Sequence, residues 1–282
     1  MRDRRLIVSA DDFGAAECVN EAVEVAHRQG VLTAASLMVG APAAEDAVRR
    51  AKAMPNLRVG LHLVLVDGQP SLPAAKLRRL VDADGRFRND MARAGATMFL
   101  VPDARRQLAM EIEAQFAAFA QTGLQLDHVN AHKHFHLHPT IASLILRIGR
   151  RYRLKAIRFP IEPVAVLMQV EPDSELRAEP VVDLWAGLAR RRFRRGGLLT
   201  PDQVFGLRWS GAMTTSRLRG LIENLPPGLS EIYLHPATRG GFDGAAVGYR
   251  YEDEFAALIA PEVISAASRA GISRGGFTDF AP

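Results

Sequence analysis

Cysteine is almost absent from this chain of 282 residues, in which Cys18 is the only one. A single thiol cannot form an internal disulfide, and it excludes a zinc site built from several cysteines. Long apolar runs are missing too, since none approaches the roughly 18–20 residues that cross a bilayer. The first apolar run, Leu6–Ala10, ends in two aspartates and is shorter than the h-region of a secretory signal, which needs about 7–15 residues. We therefore expect a cytoplasmic protein.

The excess of one charge over the other is small, because 36 basic and 31 acidic residues give a net charge of +5. The five arginines within residues 190–195 account for this excess, so we predict no nucleic-acid partner. They are Arg190, Arg191, Arg192, Arg194 and Arg195, interleaved with Phe193 and followed by leucines. This mixture fits either a solvated basic segment or a peripheral contact with anionic lipid at the inner face of the membrane.

Hydrophobic residues make up 48% of the chain and charged residues 24%, which is typical of a globular protein. Short β-rich runs alternate with patterns of helical period. We predict strands at 6–12, 34–40, 57–66, 127–132, 156–160 and 231–236, and helices that end at Gly30 or cover 41–54, 103–121, 140–152 and 251–270.

This alternation predicts an α/β protein with a parallel sheet. About seven such units would close into a (β/α) barrel, although the pattern alone does not distinguish a closed barrel from an open sheet. Residues 66–100 and 161–212 interrupt the alternation. We predict that they are long loops with short helices, inserted into one domain that covers residues 1–282.

Polar residues stand at the ends of four predicted strands. In barrels of this class the functional side chains lie at the carboxyl ends of the strands. The first strand ends in Asp11 and Asp12, the third carries His62, and the last ends in His235. The strand near residue 130 is followed by a run of histidines, so that seven of the eight histidines of the chain stand at these ends.

The histidine run alternates with a period of two residues, through His128, His132, His134, His136 and His138. An extended chain would place all five imidazoles on one side, with His132 and His138 roughly 20 Å apart. They could not all bind one ion, so we expect one or two of them, with His62 and an aspartate. Two imidazoles, one carboxylate and open positions for water indicate a catalytic metal site.

The paired aspartates indicate a division of roles. One carboxylate would bind the metal, and the other would act as the general base on the metal-bound water. His235 could then protonate a leaving group, which suits hydrolysis of an amide or an ester. Taken alone, Asp11 and Asp12 would also suit a helix N-cap, and His62 between two leucines would also suit a core residue.

Four motifs carry a resemblance to a known family: ADDFG (10–14), GLHL (60–63), HVNAHKHFHLHP (128–139) and EIYLHP (231–236). In order and spacing the chain resembles the YdjC/ChbG-type carbohydrate deacetylases. Residues 184–214 resemble an insert of the hopanoid-biosynthesis-associated branch of that family.

The resemblance implies a distorted (β/α) barrel of about seven strands, of the deacetylase/glycoside-hydrolase type, that removes acetyl groups from N-acetylated amino sugars. By position, Asp12, His62 and His132 match the metal ligands of the family, Asp11 its base, and His235 the histidine near the leaving group. Relatives often have aspartate where this chain has Asn130. We also assign substrate binding to three further residues: His134, His136 and Arg158.

The cofactor implied is a divalent metal ion, Mg²⁺ or Zn²⁺. Histidine ligands favour a zinc-like ion, because Mg²⁺ prefers oxygen. The substrate would be an N-acetylated amino sugar or a glycolipid, for example a glycosylated hopanoid. Alternatives are a metal phosphoesterase or another amidohydrolase on a similar barrel, and a non-catalytic protein that binds metal or sugar.

Overall fold

The structure is a computed structural model that describes residues 3–173, 187, 190–269 and 271–281. Strands and helices alternate along most of the chain. In order they are β1 (Arg4–Phe13), α1 (Glu17–Gln29), β2 (Ala34–Leu37), α2 (Ala44–Lys52), β3 (Arg58–Leu63), α3 (Met91–Leu100), α4 (Pro102–Gln121), β4 (Val129–Ala131), α5 (Pro139–Gly149), α6 (Val164–Val170), β5 (Gln203–Phe205), α7 (Thr215–Glu223), β6 (Gly228–Leu234), α8 (Tyr251–Ile259), α9 (Pro261–Ala267) and β7 (Ile272–Arg274).

The strands form a parallel sheet in the order β4-β3-β2-β1-β6-β5, and β7 pairs with the first residues of β1. Between the two ends of this order lies the segment 156–161. Its Arg158 N–H donates to the carbonyl of Val129 in β4 (3.0 Å), and its Ile161 carbonyl accepts from Val204 in β5 (2.8 Å). The predicted distorted (β/α) barrel is therefore confirmed.

Strand β1 lies at the centre of this sheet and is covered on both faces. Its residues Leu6, Ile7 and Val8 are fully buried. A strand buried on both faces reads as a continuous apolar run rather than as an alternating one, which explains the sequence LIVSA. The helices pack their apolar faces on the outside of the curved sheet and form the main core with it.

Two predicted elements differ from the structure, and two of its strands were not predicted. The strand predicted at 156–160 is reduced to single bridges at Ala156 and Ile157, and the proline that follows Phe159 has no N–H to continue a ladder. The helix predicted at 251–270 is wrong, because Pro261 ends one helix at Ile259 and starts another. The three-residue strands β5 and β7 were not predicted.

The two predicted insertions contain short helices. Residues 66–100 hold a 3₁₀ turn at Ala74–Lys76 and α3. The start of this insertion is held against α4 by the buried carboxylate of Glu111, which accepts from the N–H groups of Ser71 (2.8 Å) and Leu72 (3.0 Å). Of the second insertion, residues 174–186, 188 and 189 lie outside the described residues. Within the part of the chain that is described, no helix is long and apolar enough to cross a membrane.

Gly60 in β3 allows a close contact between the strand and a buried ring. A Cβ added at Gly60 would lie 2.5 Å from the imidazole of His128, which is fully buried. We expect Gly60→Ala to lower the free energy of unfolding by about 1–3 kcal/mol through overpacking, measured by urea denaturation. The control is Gly240→Ala, where nothing lies within 4 Å of the added Cβ. Equal effects of the two substitutions would contradict this role of Gly60.

Candidate active site

A bulge near the end of β1 places two successive carboxylates on one cleft. The pairing of β1 with β2 shifts register between Ala10 and Phe13, and Asp12 has the left-handed φ of 59°. Side chains of successive residues in a regular strand point to opposite faces, whereas a bulge redirects one of them. As a result, Asp11 and Asp12 both line the same cleft.

The histidine run does not continue β4. The strand ends at Ala131, and His132–Leu137 forms a 3₁₀ turn in which Lys133 and His134 have φ values of 53° and 54°. The extended arrangement with all imidazoles on one side is therefore wrong. The turn sends the rings in different directions, and only His132 reaches the paired aspartates.

Asp12, His62 and His132 form a candidate metal site. The Asp12 Oδ1 atom lies 3.3 Å from His62 Nε2 and 3.4 Å from His132 Nδ1, and the possible ligand atoms all lie within 4.8 Å of one another. Asp12 Oδ1 and His62 Nε2 are buried and have no hydrogen-bond partner among the residues that the structure describes. Unpaired buried polar atoms are costly, so a cation between them would satisfy both. The three residues fit the divalent ion that the sequence implied.

Asn130 determines how His62 is oriented. The Nδ2 group of Asn130 donates to Asp11 Oδ1 (2.9 Å) and to Ser36 Oγ (3.0 Å), so its Oδ1 atom faces His62 Nδ1 (2.7 Å). A carboxylate can only accept hydrogen bonds, which fixes the amide in this orientation. His62 then carries its proton on Nδ1, and the Nε2 lone pair faces Asp12. This is the tautomer that a metal ligand requires.

A second buried histidine supports Asn130 from behind. The Ser36 hydroxyl, which accepts from Asn130, contacts Nε2 of His128 (3.0 Å), and Nδ1 of His128 contacts Asp127 (2.9 Å). Asp127 in turn accepts from the backbone N–H groups of Phe277 (3.1 Å) and Thr278 (2.8 Å). His128 is fully buried and belongs to this support, not to the cleft.

Arg158 holds Asp11 in place. Its guanidinium donates to Asp11 Oδ2, to Ser9 Oγ (3.0 Å) and twice to Glu231 Oε1 (2.9 and 2.7 Å). Burial alone would raise the pKa of Asp11, but the adjacent Arg158, with His62, lowers it far below its usual value. Arg158 was predicted to bind substrate. It is fully buried and does not line the cleft, so its position does not suit that role.

The cleft beside these residues has a volume of about 550 Å³. His235 lies on its wall, with its ring edge-on to those of Tyr233 (5.7 Å) and Tyr249 (5.1 Å) and its Nδ1 atom 3.9 Å from Glu254. His134 also lines the cleft and contacts the Tyr233 hydroxyl through Nε2 (2.9 Å).

Two of the remaining histidines lie away from the cleft. His136, predicted to bind substrate, is fully buried behind the cleft lining. His138 packs against Phe99 and Phe135. The structure therefore brings together six of the eight predicted site residues at this cleft: Asp11, Asp12, His62, His132, His134 and His235.

Sequence reasoning missed Ser36, Glu231, Tyr233 and Glu254. Glu231 and Tyr233 lie in the motif EIYLHP, where an acidic residue inside a buried strand was an available signal. The Glu254 carboxylate is fully buried and accepts the N–H groups of His235 and Met213. No local pattern in α8 distinguishes it from the acidic residues beside it.

Comparisons with known proteins agree with this geometry. The model of the family described as YdjC-like protein matches residues 5–269. A carbohydrate deacetylase from Geobacillus stearothermophilus is 31% identical over 280 residues, which cover 98% of each chain. A carbohydrate deacetylase from Brevibacillus brevis is 39% identical over 156 residues, 55% of this chain and 59% of that protein, so that match spans little more than half the length of the relative.

One solved structure supports the fold. It is the crystal structure of a protein from Enterococcus faecalis V583 that is provisionally named a cellobiose-phosphate cleavage protein. Its TM-score with this chain is 0.75. The similarity covers 99% of this chain and 100% of that one, with 24% sequence identity. At this identity the likeness shows the fold alone.

Removing the Asn130 amide should weaken metal binding. In Asn130→Ala, His62 Nδ1 loses its acceptor and Asp11 loses a donor, so we expect zinc affinity to fall about 10–100-fold. Competition with a zinc-binding dye measures it. The control is Gln203→Ala, which removes another buried amide, one that bonds Pro227 and Ser230 near the start of β6, away from the candidate ligands. An equal loss of zinc affinity in both variants would mean that loss of a buried amide loosens the fold in general. It would contradict a specific role of Asn130 in orienting His62.

The buried histidines should make stability dependent on pH. Burial and the nearby Arg158 lower the pKa of His134 to about 3, and burial and His134 lower that of His136 well below 6.5. Both pKa values are depressed in the folded state, so their contribution to stability is complete above pH 6.5 and is lost as the pH falls toward 3.

The measurement is urea unfolding of the metal-free protein at about pH 7 and at about pH 5. Between these two pH values, each such histidine should change the free energy of unfolding by about 2 kcal/mol. Burial raises the pKa of Glu254, which opposes this trend, so the comparison is with His136→Asn. We expect the substitution to reduce the loss of stability between the two pH values. The same loss in both proteins would contradict the contribution of His136.

Proposed function

The chain belongs to the YdjC-like protein family, and we propose that it is a metal-dependent carbohydrate deacetylase that hydrolyses the acetamide of an N-acetylated amino sugar. One observation carries the proposal. Two imidazoles and a carboxylate present possible ligand atoms to one point, those of Asp12 and His62 without a hydrogen-bond partner among the described residues, and a second, ionised carboxylate lies in the same cleft. This combination suits hydrolysis of an unactivated amide.

Asp12, His62 and His132 would hold the metal ion. A bound divalent ion lowers the pKa of water and polarises the amide carbonyl. Two nitrogen donors with one oxygen donor favour zinc or a similar transition metal over Mg²⁺. Asn130 contributes by keeping the proton of His62 on Nδ1, so that Nε2 remains available as a donor.

Asp11 would orient the attacking water and accept its proton. Arg158 and Asn130 occupy one position on each carboxylate oxygen and prevent rotation of the group. Because its pKa is far below the usual value, Asp11 is ionised at neutral pH and is a ready hydrogen-bond acceptor. So weak a base passes the proton on readily, and its transfer to His235, after His235 has protonated the amine, would restore both residues.

His235 would donate the proton that releases the amine. It approaches the cleft from the end of β6, whereas His62 lies on β3 and His132 follows β4. Two tyrosine rings pack edge-on against the imidazole, and Glu254 accepts the backbone N–H of His235. A fixed donor near the leaving group contributes about 10²–10⁴-fold to such reactions.

The cleft and the relatives favour a sugar substrate. Tyr249 and Tyr251 line the cleft, and aromatic faces pack well against the apolar face of a pyranose ring. The relatives from Geobacillus stearothermophilus and Brevibacillus brevis are named carbohydrate deacetylases. We extend the proposal to an N-acetylglucosaminyl group of a hopanoid glycolipid, which is supported by the resemblance of residues 184–214; residues 184–186, 188 and 189 lie outside the described part.

The test measures acetate release from an N-acetylglucosamine conjugate and, on the same samples, the bound metal. We expect Asp12→Ala and His132→Ala to lose both the metal and more than about a hundredfold of activity. Asp11→Asn should keep the metal and lose about 10²–10⁴-fold of activity. His27→Ala, in α1 and outside the cleft, is the control and should change neither.

Three outcomes would contradict the proposal. Acetate release that survives Asp12→Ala would remove the metal site from the reaction. Hydrolysis of an aryl phosphate in preference to the acetylated sugar would identify a phosphoesterase. Tight retention of metal with no turnover of either substrate would indicate a binding protein.

A further inference from the structure

A second concave surface lies outside the cleft. It is a groove of about 570 Å³ between the first turns of α4 and α5 and the helical residues 190–195. Four arginines line it: Arg105, Arg106, Arg147 and Arg192. Among the described residues that line the groove there is no aspartate or glutamate. We call this surface the arginine groove.

Within the described part of the chain, neighbouring carboxylates do not neutralise most of this positive charge. Arg192 donates to the neutral hydroxyl of Ser143 (2.7 Å), and Arg105 donates to the backbone carbonyl of Phe99 (2.9 Å). Arg106 contacts Asp103 at 3.1 Å, but 78% of its side chain is exposed, and exposed pairs of this kind are weak. An anionic partner would therefore find several guanidinium groups free to bind it.

Three exposed apolar residues line this groove or stand next in the chain to residues that line it, and we call them its apolar edge. Phe99 is 50% exposed and Leu100 69% exposed at the end of α3, and Met110 on α4 is 45% exposed. A small soluble anion would use the arginines and leave these side chains in water. A lipid bilayer would use both, because phosphates bind the arginines while apolar side chains enter the region below the head groups.

The arginine groove begins on the side of the barrel where the cleft opens and follows α5 to Arg147 in its last turn. Helix α4 precedes β4 and α5 follows it, so both helices begin at the edge where the parallel strands end. The turn that carries His132 leads directly into α5, and the ring of His138 at its end lies 6.2 Å from that of Phe99.

We propose that the arginine groove and its apolar edge dock this protein on the surface of an anionic phospholipid bilayer. Of the run at 190–195, the docking surface uses Arg192. Arg190 instead donates to the backbone carbonyl of Asp202 (2.9 Å), and Arg194 donates to the carboxylate of the same residue (2.8 Å). The proposal does not depend on the deacetylase activity, because no residue of the groove lines the cleft.

The experiment is co-sedimentation of the full chain with vesicles of phosphatidylglycerol and phosphatidylcholine, compared with vesicles of phosphatidylcholine alone. We expect binding to the anionic vesicles only. Arg106→Gln with Arg147→Gln should lower the partition coefficient roughly twentyfold, since each basic residue contributes about fivefold near such a surface. Leu100→Ser should weaken binding to the anionic vesicles also at high salt, where the charge contribution is screened.

The matched control removes two other exposed arginines, Arg219→Gln with Arg274→Gln, which lie on α7 and β7. Circular dichroism and release of acetate from a soluble substrate should be unchanged in all variants. An equal loss of vesicle binding in the control would overturn the proposal in favour of diffuse positive charge. Binding of the wild-type chain to glycerol phosphate, an acidic peptide or an oligonucleotide, without binding to vesicles, would overturn it in favour of a soluble partner.

Discussion

The amide of Asn130 is the contact on which the rest of the site depends. One side chain accepts from the imidazole of His62 and donates to the carboxylate of Asp11, so the proposed ligand and the proposed base are oriented by the same group. Neither hydrogen bond can reverse, because an ionised carboxylate has no proton to give. An aspartate at this position could still accept from His62, but it would set a second negative charge against Asp11. With asparagine, the two functional side chains are brought close without that repulsion.

Charge balance explains why such a site is stable inside the barrel. Asp11 and Glu231 share one buried cation, Arg158, and Asp12 has only imidazoles beside it. Burying a charge is costly unless it is paired, so three carboxyl groups around a single guanidinium favour a divalent cation as the compensating charge. The charge of the candidate metal site therefore depends on the residues around Arg158 as well as on its own ligands. Substituting Arg158 would expose Asp11 to the full cost of burial, which makes Arg158 a positioning residue for the carboxylate.

Sequence reasoning located the barrel and the candidate ligands because both depend on local signals. Apolar runs marked the strands, and the ends of parallel strands meet at one edge, so an aspartate, His62 and one or two histidines of the run could be grouped from the residues alone. The family resemblance then selected Asp12 and His132, which the structure brings beside His62. The direction of each side chain after a strand could not be predicted. The left-handed backbone at Asp12, Lys133 and His134 has no signature when the residue is not glycine. Equally, the partners of Arg158 lie 147 and 73 residues away, and no local pattern indicates such contacts.

The turn at His132–Leu137 connects the chemistry of the cleft with the surface beside it. Its two left-handed residues reverse the chain, so that His132 reaches Asp12 while Pro139 starts α5 only a few residues later. Since α5 must begin there, its first turns, with Arg147 two turns further on, are fixed relative to the metal ligands. A change in this turn would move the ligand and the arginine groove together. For a substrate held at an interface, that coupling would keep the distance between the membrane surface and the reacting bond constant, which a flexible tether between the two could not do.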